Sequence, residues 1–230
     1  NKLIGDGHPT FIIAEVGSNH NQDFSLARKC IDAASEAGVD AVKFQTFKAE
    51  NHISRFAEIP DYLDEHENLF DLIQSLELNR EWQEELKNHA ENNGLIFLSS
   101  PCDYDAVDGL EKIHTPAYKV ASFDLPDLDL IRYIARTKKP ILLSTGLANW
   151  MEIQRAIDVC LEEGNNQIVL FQCTSIYPAP INLSNLKAIK TMRDSFQIIT
   201  GYSDHTLGDN IAIASVTMGA SVIEKHFTLD

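Results

Sequence analysis

Two histidines near the end of the sequence could bind a metal ion together. His205 lies at the end of the segment 201–205 and His226 at the end of the segment 223–226, and each follows a short apolar run. If both runs are strands of one parallel sheet, the two imidazoles emerge side by side at its carboxyl edge. Neutral imidazoles with nearby oxygen ligands and an open position can hold a divalent metal ion. The alternative is two unrelated histidines, each hydrogen-bonded to a backbone or carboxylate partner.

Two lysines inside otherwise apolar segments are a second unusual feature. Lys43 and Lys119 each lie within a predicted strand. A buried ammonium group is costly unless an anion accompanies it. That anion is either a carboxylate of the chain, Glu15 or Glu224, or the phosphate or carboxylate of a ligand. A lysine in such a place could instead form a Schiff base, which belongs to a different chemistry.

Serines at the ends of predicted strands favour a bound anion. Ser100, Ser122, Ser144 and Ser203 could each contribute a hydroxyl to a site that also contains the two lysines. The sequence has no Walker A motif and no GxGxxG motif, so this would not be a standard nucleotide site.

The elements that must hold these side chains alternate between strand and helix. Apolar runs bounded by turn residues predict eight strands, over 11–17, 41–47, 95–100, 117–122, 140–145, 167–173, 198–204 and 221–228. Amphipathic segments between them predict helices, with Asp23 and the pair Asn149 and Glu152 as N-terminal caps and Gly164 as a helix end. Eight such units in one chain predict a parallel (β/α)8 TIM barrel, an α/β fold.

In this kind of barrel the active site lies at the carboxyl ends of the strands. Strand alternation places Lys43 with Gln45 on one face and Glu224 with His226 on another. Other polar residues at predicted strand ends are Asn19, His20, Ser99, Thr145, Thr174, Ser175, Tyr177 and Asp204.

The longest irregular connection runs over residues 48–79 and contains Pro60 and a predicted short helix near 69–76. A connection of this length is more often functional than idle. It is either a lid over the site or an excursion that packs on another subunit.

Composition limits the classes of function. The chain has 230 residues, is 44% hydrophobic and 23% charged, and carries a net charge of −15. Nucleic acids and anionic membranes both need a basic surface, so neither is an expected partner. The four cysteines show no CxxC pattern, which indicates a reducing cytoplasm. A catalytic thiol at Cys102 or Cys173 is a minor alternative.

Eight motifs, in order along the chain, resemble one known family. They are IAEVGSNHN at 13–21, DAVKFQT at 40–46, SP at 100–101, AYKVAS at 117–122, LSTG at 143–146, CTSIYP at 173–178, GYSDHT at 201–206 and EKHFT at 224–228. Together they resemble the catalytic barrel of the N-acetylneuraminate (sialic acid) synthases, a family that includes spore-coat polysaccharide protein E and the pseudaminic and legionaminic acid synthases.

The resemblance implies an enzyme that condenses phosphoenolpyruvate with an N-acetylmannosamine-type sugar, giving a nine-carbon 2-keto acid and phosphate. It implies that His205 and His226 bind a divalent metal, Mn²⁺ or alternatively Mg²⁺ or Co²⁺. The residues it assigns to phosphoenolpyruvate are Lys43, Ser100, Lys119, Ser122, Ser144, Ser175 and Ser203. Those it assigns to the sugar or the reacting centre are Glu15, Gln45, Tyr177 and Glu224, with Glu15, Glu224 and Lys119 as the catalytic candidates. Either carboxylate could manage the water that attacks phosphoenolpyruvate.

Two features depart from the family pattern. Some relatives carry Asn where this chain has Ser175. Family enzymes also continue into an antifreeze-like C-terminal domain that completes the partner's site in a homodimer. We therefore expect residues 1–230 to form a catalytic barrel that stops after its eighth strand, without the eighth helix and without that domain.

Two other functions stay open from the sequence. One is a Schiff-base aldolase or lyase that uses Lys119 or Lys43, and the other is a non-catalytic barrel that serves assembly or sugar sensing. The acceptor sugar is also open among N-acetylmannosamine, a diacetamido-dideoxy sugar and a phosphorylated sugar.

Overall fold

The computed structural model describes residues 2–57 and 68–229 and shows a closed barrel of eight parallel strands in sequence order. The strands are β1 Phe11–Gly17, β2 Ala41–Thr46, β3 Ile96–Pro101, β4 Tyr118–Val120, β5 Ile141–Ser144, β6 Ile168–Cys173, β7 Ile199–Asp204 and β8 Val222–His226. The prediction of a (β/α)8 barrel is confirmed.

Helices connect successive strands on the outside of the barrel. They are α1 Phe24–Glu36, α2 Ala49–His52, α3 Leu69–Ser75, α4 Gln83–Asn92, α5 Tyr104–Lys112, α6 Leu128–Ala135, α7 Trp150–Glu162, α8 Lys187–Phe196 and α9 Asn210–Thr217, with 3-10 turns at Arg80–Trp82 and Ile181–Leu183. Over the described ranges, no helix is both long and apolar enough to span a bilayer.

Helix caps explain several of these boundaries. The Asp23 carboxylate accepts hydrogen bonds from two backbone amides of α1, and Asn149 with Glu152 forms a reciprocal capping box at the start of α7. Some predicted strand boundaries differ by a few residues. The strand predicted over 117–122 spans only Tyr118–Val120, and the one predicted over 221–228 spans Val222–His226.

The barrel interior has two chemically different zones along its axis. Its amino half is filled by apolar side chains, among them Phe11, Ile13, Leu98 and Phe171. Above Ile13 on the same face of β1 comes Glu15, whose register partners are Lys43 on β2 and His226 on β8. The apolar side chains therefore pack directly beneath the polar groups at the carboxyl end of the barrel.

The connection after β2 contains α2 and α3 and is tied to the barrel at its described ends. Lys48 Nζ lies 2.6 Å from Glu77 Oε2, and the Gln22 side chain donates to the Gln74 carbonyl at 3.0 Å. Residues 58–67, with Pro60, lie outside the described residues. Both interpretations of this connection, as a lid and as a subunit contact, stay predictions.

Candidate active site

One cavity at the carboxyl ends of the strands brings together every residue that the family resemblance assigns to catalysis, substrate or metal. It is lined by Glu15, Lys43, Gln45, Ser100, Lys119, Ala121, Ser122, Phe123, Ser144, Cys173, Ser175, Tyr177, Ser203, His205, Glu224 and His226. These residues come from all eight strands or from the turns directly after them. Residues more than 200 positions apart in the chain, such as Glu15 and Glu224, thus share one site only because the sheet closes.

Two lysines and two glutamates form a buried network at the centre of this cavity. Lys43 Nζ lies 2.7 Å from Glu15 Oε2 and 3.8 Å from Glu224 Oε2, and Lys119 Nζ donates to Glu224 Oε1 at 2.8 Å. All four side chains are at most 5% exposed. Glu15 Oε2 makes an ion contact with Lys43 but no directed hydrogen bond, and Glu224 Oε2 likewise has none. Each glutamate of the network therefore has one buried oxygen with unused hydrogen-bond acceptor capacity.

The two carboxyl groups differ in their affinity for protons. Burial raises the pKa of Glu15 above its usual range, and the nearby Lys43 offsets this only in part. For Glu224, burial also favours the neutral form, but Lys119 and Lys43 together outweigh it and hold the pKa at about 2. Two carboxyls with separated pKa values are suited to two roles, one that exchanges a proton and one that stays ionised.

Hydroxyl groups surround this network. Lys43 Nζ donates to Ser100 Oγ at 3.1 Å, and Ser203 Oγ donates to Glu224 Oε1 at 3.0 Å. Ser122 Oγ accepts from the Gly146 backbone amide at 3.1 Å and lies 3.2 Å from Cys173 Sγ. These contacts fix the positions of the hydroxyls while leaving them on the cavity wall.

The two histidines meet the requirements of a metal-ligating pair. The rings of His205 and His226 have centroids 5.4 Å apart. His205 Nδ1 lies 2.7 Å from the Thr174 carbonyl, so that nitrogen carries the proton and Nε2 is left with its lone pair. Burial lowers the pKa of both histidines to about 4, so both are neutral near pH 7. Neutral imidazole is the form that binds metal.

Tyr177 and Gln45 stand beside these groups. The Tyr177 ring lies over His205 with centroids 4.1 Å apart and meets His226 edge-on at 5.6 Å. Gln45 Nε2 donates to Glu15 Oε1 at 2.9 Å. Gln45 thus orients the carboxyl group that has the higher proton affinity.

Several other polar residues at the strand ends do not line this cavity. Asn19 donates to the Phe227 carbonyl, and buried His20 accepts from the Gln22 amide. Ser99 lies against Thr46, and Asp204 binds Lys225 on the outer face of the sheet. Because successive side chains of a strand point to opposite faces of the sheet, Ser99 and Asp204 lie on the other face from Ser100 and Ser203.

The two minor thiol candidates have different surroundings. Cys173 lines the cavity, whereas Cys102 lies outside it, 3.6 Å from Asp124 Oδ2. Burial and the neighbouring Asp124 raise the pKa of Cys102 well above its usual range, so its thiol is not activated as a nucleophile. Cys102 belongs instead to a group with His52 and Asp124 that could hold a metal ion.

Two glycines lie against the site and were not among the predicted site residues. Gly17 has a φ of +56°, and a Cβ there would lie 3.4 Å from Glu15 Oε1 and 3.6 Å from His226 Cε1. A Cβ at Gly146 would lie 2.6 Å from Cys173 Sγ and 2.7 Å from Ser175 Oγ. Phe123, on the cavity wall, was also missed. Both glycines lie within the family motifs, Gly17 in 13–21 and Gly146 in 143–146, and each stands at the end of a predicted strand.

A larger cavity, of about 460 Å³, lies at the opposite end of the barrel. It is lined by residues that precede β1, β7 and β8, such as His8, Arg193 and Ser221. That end of a barrel serves stability rather than catalysis, and the buried lysine–carboxylate network is absent from it.

A closed eight-stranded barrel with buried acid–base groups at the carboxyl ends of its strands defines the class of barrel enzymes. Comparison with known sequences gives the family: the NeuB family profile matches residues 30–230, and the chain belongs to this family.

Individual relatives are similar over nearly the whole chain. An uncharacterised protein of Methanocaldococcus jannaschii is 44% identical over 229 residues, covering 100% of this chain and 65% of that protein. The N,N'-diacetyllegionaminic acid synthase of Campylobacter jejuni is 44% identical, covering 96% of this chain and 68% of its own length. The chain thus spans about two thirds of these curated relatives.

A solved structure is similar over nearly the whole chain. The N-acetylneuraminic acid (sialic acid) synthetase from Leptospira borgpetersenii, crystallised with citrate, superposes with a TM-score of 0.90 at 32% identity. The match covers 99% of this chain and 76% of that one.

Proposed function

We propose that this chain is the catalytic barrel of an enzyme that condenses phosphoenolpyruvate with an N-acetylated amino sugar, giving a nine-carbon 2-keto acid and phosphate. The observation that carries this proposal is the buried network of Lys43, Lys119, Glu15 and Glu224 beside two neutral imidazoles. Membership of a family whose relatives are named as legionaminic and sialic acid synthases supports it.

Phosphoenolpyruvate would bind to the lysines. Its phosphate and carboxylate groups are strong acceptors for ammonium and hydroxyl donors. Lys43 and Lys119 lie on adjoining sides of Glu224, so one trianionic ligand can reach both. The hydroxyls that would complete its contacts are those of Ser100, Ser122, Ser144, Ser175 and Ser203.

The two carboxyl groups would divide the proton chemistry. Attack of C3 of phosphoenolpyruvate on the aldehyde carbon of the sugar forms the C–C bond and leaves positive charge at C2. Glu224, ionised at neutral pH, would stabilise that charge. Water then adds to C2, and Glu15, the group with the raised pKa, would take its proton. The C2–O bond to phosphate then breaks and the keto group forms, so that one proton of the water ends on the former aldehyde oxygen and the other on the released phosphate.

His205 and His226 would hold a divalent ion, which we propose to be Mn²⁺, with Mg²⁺ or Co²⁺ as alternatives. The lowered pKa values and the fixed tautomer of His205 fit this role. Such an ion supplies Lewis-acid polarisation of the sugar's aldehyde oxygen. Tyr177 and Gln45, beside the imidazoles and Glu15, would contact the sugar.

The surroundings of the two lysines disfavour a Schiff-base mechanism. A nucleophilic lysine needs a lowered pKa. Burial does lower the pKa of Lys43, but Glu15 and Glu224 outweigh it and raise the pKa overall. Lys119 is held in an ion pair with Glu224 and lies 4.7 Å above the Phe171 ring.

Several finer properties belong to the same proposal. The C. jejuni relative is named for a product with two acetyl groups, so a diacetamido sugar is the first acceptor to try. We also propose that the enzyme acts in the cytoplasm. We further propose that it acts as a homodimer in which an antifreeze-like C-terminal domain completes the partner's sugar site.

The test is product identification by mass spectrometry. Phosphoenolpyruvate and Mn²⁺ are offered with N-acetylmannosamine, its 6-phosphate or a diacetamido-dideoxy sugar. The proposal expects one acceptor to give a product equal in mass to phosphoenolpyruvate plus sugar plus water minus phosphoric acid. Pyruvate trapped on a lysine by borohydride, with no such product, would contradict it.

A further inference from the structure

Three potential metal ligands meet outside the proposed active site. They are His52 at the end of α2, Cys102 directly after β3, and Asp124 in the turn after β4. One ligand atom from each lies within 4.8 Å of the other two. The part of the chain that the structure describes has no second group of three such residues.

Neighbouring contacts hold the first two ligands in place. Asn51, next to His52, donates to Asp103 Oδ2 at 3.1 Å, and Asp103 is the residue that follows Cys102. Arg80 binds the same Asp103 oxygen at 2.6 Å. The backbone segments that carry His52 and Cys102 are thus joined independently of the ligand atoms.

The third ligand is already close to the second. Cys102 Sγ lies 3.6 Å from Asp124 Oδ2. In tetrahedral zinc sites neighbouring ligand atoms are about 3.3–3.8 Å apart, as metal–ligand distances of about 2.0–2.3 Å require. The turn that carries Asp124 is fixed by hydrogen bonds of 3.1 Å to the Ala121 carbonyl and 3.0 Å from the Asp127 amide. A small movement of the exposed His52 side chain would complete the group.

The chemistry of the group selects one kind of ion. Imidazole nitrogen, thiolate sulfur and carboxylate oxygen together are the ligands of Zn²⁺ and similar borderline-soft divalent metals. The surroundings favour a cation as well. Cys102 opens on a cavity of about 330 Å³ whose walls include the carboxyl groups of Asp103, Asp105 and Asp127.

We propose that His52, Cys102 and Asp124 form a Zn²⁺ site that fastens α2 and the connection after β2 to the rim of the barrel. On binding, the Cys102 thiol loses its proton to solvent as the zinc–sulfur bond forms. Cys102 follows Ser100 by two residues, and Asp124 follows Ser122 by two. Zinc would therefore steady the strand ends that bring these serines to the substrate cavity, without contacting substrate.

Cobalt spectroscopy on the full protein distinguishes this site from the histidine pair. Co²⁺ bound to thiolate gives a near-ultraviolet charge-transfer band that a site with imidazole ligands alone does not give. We expect the band at one equivalent in the wild-type protein and in the His205→Asn/His226→Asn variant. We expect its loss in Cys102→Ser and its retention in Cys173→Ser, the matched control whose thiol lines the substrate cavity.

Zinc affinity supplies an independent measurement. In competition with a chromophoric chelator, His52→Ala and Asp124→Asn should each weaken Zn²⁺ binding at least tenfold. His8→Ala, an exposed histidine at the other end of the barrel, should not change it. Because His52 is exposed, its variant remains informative even if Cys102→Ser fails to fold.

Two results would overturn the zinc site. One is a cobalt band that persists in Cys102→Ser or is absent from the wild-type protein. The other is zinc binding that disappears in the His205→Asn/His226→Asn variant alone. Neither result bears on phosphoenolpyruvate condensation, which uses other residues.

Discussion

Lys43 is the residue on which the proposed site depends most, because two buried carboxyl groups share its charge. It contacts Glu15 at 2.7 Å, Glu224 at 3.8 Å and Ser100 at 3.1 Å. The sequence posed a choice between a structural ion pair and a ligand site. The structure shows the pair, and the position of the pair on the cavity wall makes the two interpretations compatible.

A double substitution separates these two roles. Lys43→Met should lower the free energy of unfolding by about 3–5 kcal/mol, because it leaves buried carboxylates without their partner. Lys43→Met/Glu15→Gln should restore most of that loss, since the amide needs no counter-charge. Urea unfolding measures the free energy of unfolding of each variant, and calorimetric titration measures its affinity for phosphoenolpyruvate. If the double variant regains stability and also binds phosphoenolpyruvate normally, Lys43 is structural only.

The histidine pair makes stability depend on pH with a definite sign. Burial lowers the pKa of His205 and His226 from 6.5 to about 4. Between pH 6.5 and about pH 4, these histidines bind protons in the unfolded chain but not in the folded protein. The contribution of the pair to the free energy of unfolding is therefore complete above about pH 6.5 and is lost as the pH falls toward 4.

The matched control is the His205→Asn/His226→Asn variant, which lacks both imidazole groups. In the presence of a chelator, the wild-type protein should lose at least about 2 kcal/mol more than His205→Asn/His226→Asn between pH 7 and pH 4.5. Urea unfolding at several pH values gives the difference. Equal losses in both proteins would mean that the imidazoles are protonated in the fold as readily as in water.

At the level of single elements, the sequence located most strands and helices but not the irregularities that shape the site. Apolar runs and capping residues are local signals, so β1, α1 and α7 could be predicted closely. The register shift in β1 between Glu15 and Gly17 could not, because it depends on how β1 pairs with β2. The short helix α2 was also missed, since four residues show no periodicity.

A side chain at Gly17 would strain the turn of β1. With φ at +56°, alanine is in a backbone conformation that L residues rarely adopt, and its Cβ would come into van der Waals contact with Gln45, Glu15 and His226. Gly17→Ala should lower the free energy of unfolding by about 1–2 kcal/mol and weaken metal binding at least tenfold.

Gly94→Ala is the matched control for strain alone. Gly94 has a φ of +78° with open space around it. Gly94→Ala should lower the free energy of unfolding by about as much as Gly17→Ala does, while leaving the affinity for metal unchanged. Equal metal affinity in both variants would show that Gly17 is needed for backbone geometry only.

For the molecule as a whole, eight alternating units determine both the fold and the place of the site. The thirteen residues assigned from motifs lie in one cavity because closure joins β8 to β1. What the sequence left open were pairings across the barrel, such as Lys119 with Glu224, 105 positions apart. Such contacts depend on side-chain reach inside a closed sheet, which periodicity does not encode.

Ligands of the native barrel should stabilise it as a unit. Phosphoenolpyruvate at about 100 times its dissociation constant adds about 2.7 kcal/mol, which corresponds to a rise of about 5–10 °C in melting temperature. Mn²⁺ should give a separate rise that is lost in His205→Asn/His226→Asn. Differential scanning fluorimetry measures both. A phosphoenolpyruvate shift that Lys119→Met leaves intact would contradict the assigned anion site.

Phosphate release from phosphoenolpyruvate, in the presence of Mn²⁺ and the acceptor found by mass spectrometry, tests the proposed function most directly. The full protein should release one phosphate per product. Glu15→Gln should lower kcat about 10²- to 10⁴-fold with little change in KM for phosphoenolpyruvate. His226→Asn should release no phosphate at the Mn²⁺ concentration used for the wild-type protein. Release that needs no sugar, or that survives in both variants, would contradict the proposed condensation.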